Sequence, residues 1–283
     1  MAQFGYRVLG FGGGGSGPGF LVASGGDAVI EDGDYKTHIF TGPGTFTVEG
    51  LAADPANDIV DYLTVAGAGG RGFSNSGGVG AGGYRESKAP GAPWTASPIA
   101  SSTSLSVTAT GYPVTVGAGG ASNVQGGSSI FSTITAAGGG YGGGANPGSC
   151  QTGGPGGSGG GGGGYPTGHG CGGGSGNQPP TSPAQGYGGA KYAGGGATQA
   201  GTGGGWSPGT KGGDGTGTGI QDGYPGTPVI GQPGPSAPLR YYSNGGGVTA
   251  GGGGNPGTAN SGSGGPNAQT GASGIVIVKY KFQ

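Results

Sequence analysis

Between Gly138 and Gly274 the chain places 56 of its 86 glycines in 137 residues, in runs such as Gly159–Gly164 and Gly251–Gly254. Apart from alanine, the aliphatic residues there are Ile220, Val229, Ile230, Leu239 and Val248, too few to build a hydrophobic core of their own. The charged residues are Lys191, Lys211, Asp214, Asp222 and Arg240. Such composition ordinarily means low-complexity disorder. Order requires another source of free energy, because fixing a backbone costs about 1–2 kcal/mol per residue and glycine has the most freedom to lose.

Backbone hydrogen bonds can supply it. A glycine strand in the polyproline II conformation has about three residues per turn and no internal hydrogen bonds, so every N–H and C=O points sideways. With no Cβ in the way, neighbouring strands can approach from all sides and pair those groups, as buried backbone demands. At about 1 kcal/mol net per bond, many bonds together approach balance. We therefore expect an ordered polyglycine II bundle. Collagen is excluded, since Gly161–Gly164 followed by Tyr165-Pro166-Thr167 breaks a strict Gly-X-Y period. An irregular, loop-rich β domain is the rival reading, because glycine also dominates turns.

A strand pattern flanks this stretch on both sides. Val29–Glu31 leads to an acidic turn at Asp32-Gly33-Asp34. Tyr35–Thr41, Gly42-Pro43-Gly44 and Thr45–Val48 read as a hairpin. Ile59–Val65 is apolar on both faces and is expected to be covered twice. Further strands are expected at Leu105–Thr108, Tyr112–Val116 and Ser129–Thr135. The last, Ile275–Phe282, puts Val276, Val278, Tyr280 and Phe282 on one face, and Ile275, Ile277, Lys279 and Lys281 on the other. The expected fold class is mainly β: a β-sandwich or jelly-roll-like base (27–137 plus 275–283) with inserted glycine-rich loops forming a polyglycine II body (138–274). Residues 1–26 read as an apolar anchor through Phe4, Tyr6, Leu9, Phe11 and Phe20, or alternatively as the first strand of the base.

Charge and targeting signals narrow the function. A net charge of −1 gives no electrostatic case for nucleic acid or an anionic membrane. No apolar run approaches the ~20 residues of a membrane span, and Met1–Gly5 lacks the features of a cleaved signal peptide. The expectation is a protein made in a cytoplasm and released, if at all, by another route such as particle lysis.

The strings Asp34-Tyr35-Lys36-Thr37-His38-Ile39-Phe40-Thr41, Gly44-Thr45-Phe46-Thr47-Val48 and Val60-Asp61-Tyr62-Leu63-Thr64-Val65-Ala66-Gly67 carry a resemblance. So do Val114-Thr115-Val116-Gly117-Ala118-Gly119-Gly120, the closing Gly274-Ile275-Val276-Ile277-Val278 and the opening Val8-Leu9-Gly10-Phe11-Gly12. The chain resembles glycine-rich virion proteins of tailed phages, especially marine cyanophages. Its long glycine stretch is similar in composition to distal tail-fibre adhesins of T-even-type phages, which lack a match to residues 27–66. The resemblance implies a virion protein, a fibre or surface appendage contributing to host attachment. It further implies docking on other virion proteins through the N-terminus and, by analogy with fibres, a homotrimer. A capsid-surface decoration without a receptor is the alternative. Ice-binding proteins with polyglycine II bundles are the rival from another class, similar in the glycine stretch only.

Apparent chemical motifs weigh little. Gly67-Ala68-Gly69-Gly70-Arg71-Gly72 fits a dinucleotide pattern, but Phe73-Ser74-Asn75-Ser76 will not start the helix that binding needs. Cys150, His169 and Cys171 match no familiar zinc spacing, which leaves a Cys150–Cys171 disulfide or two inert thiols. Asp27, Glu31, Asp32 and Asp34 read as a solvated turn in preference to a calcium loop. No serine has a plausible His/Asp partner, so neither catalysis, nor a cofactor, nor a metal is expected.

Recognition by aromatic side chains is the remaining chemistry. The glycine-poorer loops are Trp94–Ser104, Asn177–Gln185 and Ile220–Asn244. The last combines Tyr224, Arg240, Tyr241 and Tyr242 with Pro225, Pro228, Pro233, Pro235 and Pro238. Tyrosine and arginine are enriched at binding hot spots, and proline lowers the entropy lost on contact. These four side chains are the expected contacts to a host surface glycan or outer-membrane protein; the competing reading is that the rings cover edges of the bundle.

Overall fold

The structure is a computed structural model, and it describes residues 19–73, 76–146, 149–164, 170–204, 210–224, 229–247, 257–265 and 271–283. It is mainly β, with several antiparallel sheets and a single turn of 3-10 helix at Pro55–Asn57 among the described residues. The strands begin with β1 (Val22–Ser24), β2 (Ala28–Asp32), β3 (Tyr35–Phe40), β4 (Gly44–Gly50), β5 (Ile59–Val65), β6 (Tyr84–Glu86), β7 (Leu105–Ser106) and β8 (Gly111–Thr115). They continue with β9 (Ser129–Phe131), β10 (Ile134–Ala136), β11 (Ala145–Asn146), β12 (Ser149–Cys150), β13 (Thr216–Thr218), β14 (Gln232–Pro233), β15 (Arg240–Tyr242) and β16 (Ile275–Lys281).

Two sheets form the base. One runs β1-β4-β8-β9-β10, the other β2-β3-β16-β5-β6, and β7 pairs with the start of β5. They pack face to face: Phe46, Val48, Val114 and Phe131 of the first sheet meet Phe40, Val60, Tyr62, Val276, Val278 and Tyr280 of the second in one buried cluster. Phe46 lies at its centre, edge-on to Phe131 at 5.9 Å and to Tyr280 at 6.0 Å. Buried side chains of this size contribute about 1.5–3 kcal/mol each, which is why the alternating strands find this arrangement.

The chain does not form the hairpin expected from Tyr35 to Val48. β3 and β4 belong to different sheets, and Gly42-Pro43-Gly44 carries the chain across the sandwich. Phe40 and Phe46 on either side of that turn both point into the inter-sheet core, which a same-sheet hairpin would not satisfy as well. The hairpin is instead β2–β3, with Asp32 opposite Tyr35 and Gly33 at φ 55° in the turn. The boundary of the N-terminal segment also moves. Val22–Ser24 is a base strand paired with β4, Leu21 is in the core, and Phe20 sits half-buried beneath Lys281. Phe4, Tyr6, Leu9 and Phe11 lie outside the described residues.

The second face of the β2-β3-β16-β5-β6 sheet is covered too. Ile39, Leu63, Val65, Ile275 and Ile277 are buried against Tyr84, Trp94, Ala197, Ile220, Ile230 and Tyr242. Ala197, Ile220, Ile230 and Tyr242 of this second core therefore come from the stretch whose sparse aliphatics cannot build a core alone. Trp94, expected on a recognition loop, is buried here.

Over the described part of 138–274 only β11–β15 are regular strands, and each is two or three residues long. Backbone hydrogen bonds organise the rest. Residues 77–83 are all buried, and they bond to six segments. Gly80 N donates to Gly140 O (2.8 Å), Gly78 N to Tyr192 O (2.9 Å) and Gly82 N to Gly262 O (2.9 Å). Gly161 N donates to Gly78 O (2.7 Å), Gly246 N to Val79 O (2.9 Å) and Gly69 N to Gly80 O (3.0 Å). A strand in a sheet has hydrogen-bonding neighbours on two sides only; this segment is surrounded. The glycine body is thus assembled from the early excursion after β5 as well as from the long one. Cys150 and Cys171 are joined by a disulfide, with Cα atoms 5.7 Å apart, that ties β12 to this body.

Candidate functional site

The antiparallel sheet β13-β15-β14 carries the side chains singled out for recognition, and it sits on the base rather than at a distal tip. A buried carboxylate fastens it. Glu86 of β6 accepts from Thr218 Oγ1 at 2.6 Å, from Tyr84 Oη at 2.7 Å and from Ser97 N at 3.0 Å. Burial raises its pKa against the lowering effect of those donors. Lys279 of β16 supports the following loop from below. Its buried ammonium donates to Ile220 O at 3.2 Å and lies 4.8 Å from the centre of the Trp94 ring, and burial lowers its pKa.

Strand alternation divides the expected contact residues. Tyr242 is fully buried: its ring belongs to the second core and its hydroxyl donates to Gln221 Oε1 at 3.4 Å. Burial drives its pKa far above the ordinary tyrosine value. Tyr242 is therefore a core residue and cannot touch a receptor. Arg240 faces a cavity of about 360 Å³ shared with Tyr224, Asp222, Val229, Ile230 and Pro238. Its guanidinium is partly committed to structure, with Nε donating to Ile230 O at 2.9 Å and Nη2 to Gly231 O at 3.0 Å. Tyr224 is half-buried against the second core, and desolvation raises its pKa. Tyr241 points the other way.

On that opposite side lies a groove of about 480 Å³, lined by Thr198, Lys211, Asp214, Gly215, Gln232, Pro233, Gly234, Pro235, Tyr241 and Asn244. The half-buried Tyr241 ring lies over backbone here. A side chain at Gly234 would strike it, and a Cβ at Gly217 would come within 2.8 Å of its Cζ. Lys211 Nζ and Asp214 Oδ1 pair at 2.9 Å with both side chains about half exposed. Asn244 holds the walls: its Oδ1 accepts from Gly215 N at 2.9 Å and its Nδ2 donates to Gln232 Oε1 at 3.1 Å. Thr198 Oγ1 is 3.0 Å from Gly215 O. Sequence reasoning found Tyr241 but missed Thr198, Asp214 and Asn244. They are scattered between positions 198 and 244 of glycine-rich chain, and only the fold brings them together.

Other expected features resolve as follows. The Asn177–Gln185 loop is a clamp, with Gln185 buried and its Oε1 accepting from Ala137 N at 2.8 Å. Among the described residues no group of three or more His, Cys, Asp or Glu could hold a metal, and no helix is long and apolar enough to cross a membrane. Tyr165, His169 and Trp206 lie outside the described residues.

Comparison with known proteins gives one match at the level of families, the glycine-rich domain, over residues 41–281. No curated protein and no solved structure matches the chain. The matched span begins just before β4 and ends with β16, so it takes in the glycine body and the sandwich strands from β4 onward, and leaves out β1, β2 and β3. The chain belongs to the glycine-rich domain family.

Proposed function

We propose that this protein is a structural component of a tailed-phage virion, a fibre or surface appendage that contributes to host attachment. The observation that carries the reading is the surrounded segment 77–83, hydrogen-bonded to neighbours in all directions. We read that body as a polyglycine II bundle, for which sideways-pointing N–H and C=O groups are the defining feature. Such a bundle is stiff and offers a nearly uniform backbone surface, so discrimination falls to the side chains at its margin. Tyr224 and Arg240 line one margin cavity and Tyr241 the other. The segment containing Phe4, Tyr6, Leu9 and Phe11 docks on another virion protein in this reading, and the working assembly is a homotrimer.

Purified particles probed by immunogold electron microscopy test the proposal. Labelling of a fibre or surface appendage, together with antibody-blocked adsorption, is the expected result. Absence of the chain from particles would refute it. Labelling of the capsid with adsorption unaffected would favour a decoration protein. Thermal hysteresis by the purified chain, without particle association, would favour ice binding.

A further inference from the structure

We infer that the groove between Tyr241 and the Lys211–Asp214 pair is a binding site for a neutral saccharide unit. The inference deepens the attachment reading by naming the ligand class, and it rests on that reading only for its biological setting. Size comes first: about 480 Å³ falls within the roughly 300–1,000 Å³ of small-molecule sites. The lining combines one aromatic ring with a ring of mixed donors and acceptors. Tyr241 supplies an apolar face and a hydroxyl tip. Its hydroxyl has no hydrogen-bond partner among the described residues, and Asp214 Oδ2 and the remaining Lys211 ammonium protons in the same groove are uncommitted. A pyranose presents the matching pattern, a C–H face for the ring and hydroxyls that both donate and accept.

Charge sets the ligand's neutrality. Lys211 and Asp214 pair at 2.9 Å, so together they bring no net charge to attract an anion or a cation, while each partner can still hydrogen-bond a hydroxyl. The groove is also built rather than incidental. Asn244 links two of its walls through Gly215 and Gln232, and Gly217 and Gly234 leave room for the Tyr241 ring to lie down. Prolines 233 and 235 stiffen the rim, which reduces the ordering cost of binding.

Saturation-transfer NMR on the full chain tests this, with methyl glucoside, methyl galactoside, lactose and diacetylchitobiose as probes and glucuronate and glucosamine as charged controls. The expected result is transfer to at least one neutral sugar, with affinity weakened about tenfold or more in Tyr241→Ala. The double variant Lys211→Gln, Asp214→Asn alters an exposed pair, leaves the fold intact and should lose binding as well. Transfer to none of the neutral probes, equal binding by Tyr241→Ala, or preference for a charged control would each overturn the inference. Saccharide binding is measured on the isolated chain, so its failure is distinct from absence of the chain from particles.

Discussion

Gly161 shows why this sequence tolerates so little change inside the body. A Cβ there would sit 2.5 Å from Ala193 N, 2.7 Å from Ala193 C and 2.8 Å from Tyr192 C, all of them backbone atoms without freedom to move. At Gly172 the same atom meets nothing within 4 Å, and the residue is exposed. Overpacking of this kind costs about 1–3 kcal/mol, whereas glycine to alanine at a compatible open site gains about 0.4–1 kcal/mol through the unfolded state. Gly161→Ala should therefore melt lower than the parent and Gly172→Ala no lower, as read by thermal unfolding. His38 gives a second test at this scale. It is buried, its Nδ1–H donates to Gly25 O at 2.7 Å, and its Nε2 lies 3.3 Å from the Tyr280 hydroxyl. Burial lowers its pKa below the ordinary 6.5, and nearby Lys36 adds to the effect. The unfolded chain then binds the proton more readily, so this contribution is intact above pH 6.5 and is lost as pH falls towards the folded value. The His38 share of the melting temperature should fall between neutral and mildly acidic pH, opposite in sign to that of Glu86, whose carboxyl pKa burial raises. The parent should therefore lose more on acidification than His38→Asn; an unchanged slope in the variant would assign any loss to other groups.

Strands whose partners are announced by their own alternation were legible. β5 and β16 match the expected positions and faces, with Val60, Tyr62, Val276 and Val278 in one core and Leu63, Val65, Ile275 and Ile277 in the other. β13, β14 and β15 were not, for a physical reason. Thr216-Gly217-Thr218 has no apolar alternation, and β14 contains Pro233, tolerated because β14 is an edge strand with only β15 as its neighbour. Their pairing follows from seating Ile220, Ile230 and Tyr242 on the base, which is a tertiary event. The same limit explains the treatment of Arg240, Tyr241 and Tyr242 as one epitope. Period-two alternation separates Tyr241 from its neighbours, but the strand itself had to be seen first. The Cys150–Cys171 disulfide likewise needed the fold to bring the two residues together over a separation of 21. Cross-links of this kind are worth about 2–4 kcal/mol. Reduction, or the double variant Cys150→Ser, Cys171→Ser, should lower the melting temperature and speed amide exchange in β11 and β12 without dissolving the sandwich; a melting curve indifferent to reductant would show that the hydrogen bonds of the body suffice alone.

At the scale of the whole molecule, the base and the glycine body are not separable modules. Sequence order implies that they are, because β16 resumes the sandwich after 138–274 as if nothing had intervened. Three features contradict that separability. Residues 67–70 and 77–83, from the base half of the sequence, lie within the hydrogen-bonded body: Gly80 bonds to Gly140, Gly78 to Tyr192 and Gly82 to Gly262. Ala197, Ile220, Ile230 and Tyr242, from the body half, cover Ile39, Leu63, Ile275 and Ile277. Buried polar contacts cross the same boundary, with Thr218 on Glu86 and Lys279 on Ile220 O. Excision of 138–274 with a short linker would remove Ala197, Ile220, Ile230 and Tyr242 from one face of the β2-β3-β16-β5-β6 sheet, leave Glu86 and Lys279 without those partners, and strip residues 77–83 of most of their hydrogen-bond partners. Unpaired buried polar groups cost about 1–3 kcal/mol each, and whole-protein stabilities are only about 5–15 kcal/mol. The excised base should therefore bind a hydrophobic dye and lack a cooperative unfolding transition, whereas the full chain melts as one unit. A base fragment that unfolds cooperatively, with the dispersed NMR spectrum of a folded sandwich, would show that the inter-sheet core around Phe46 is sufficient and that the body is an appendage after all.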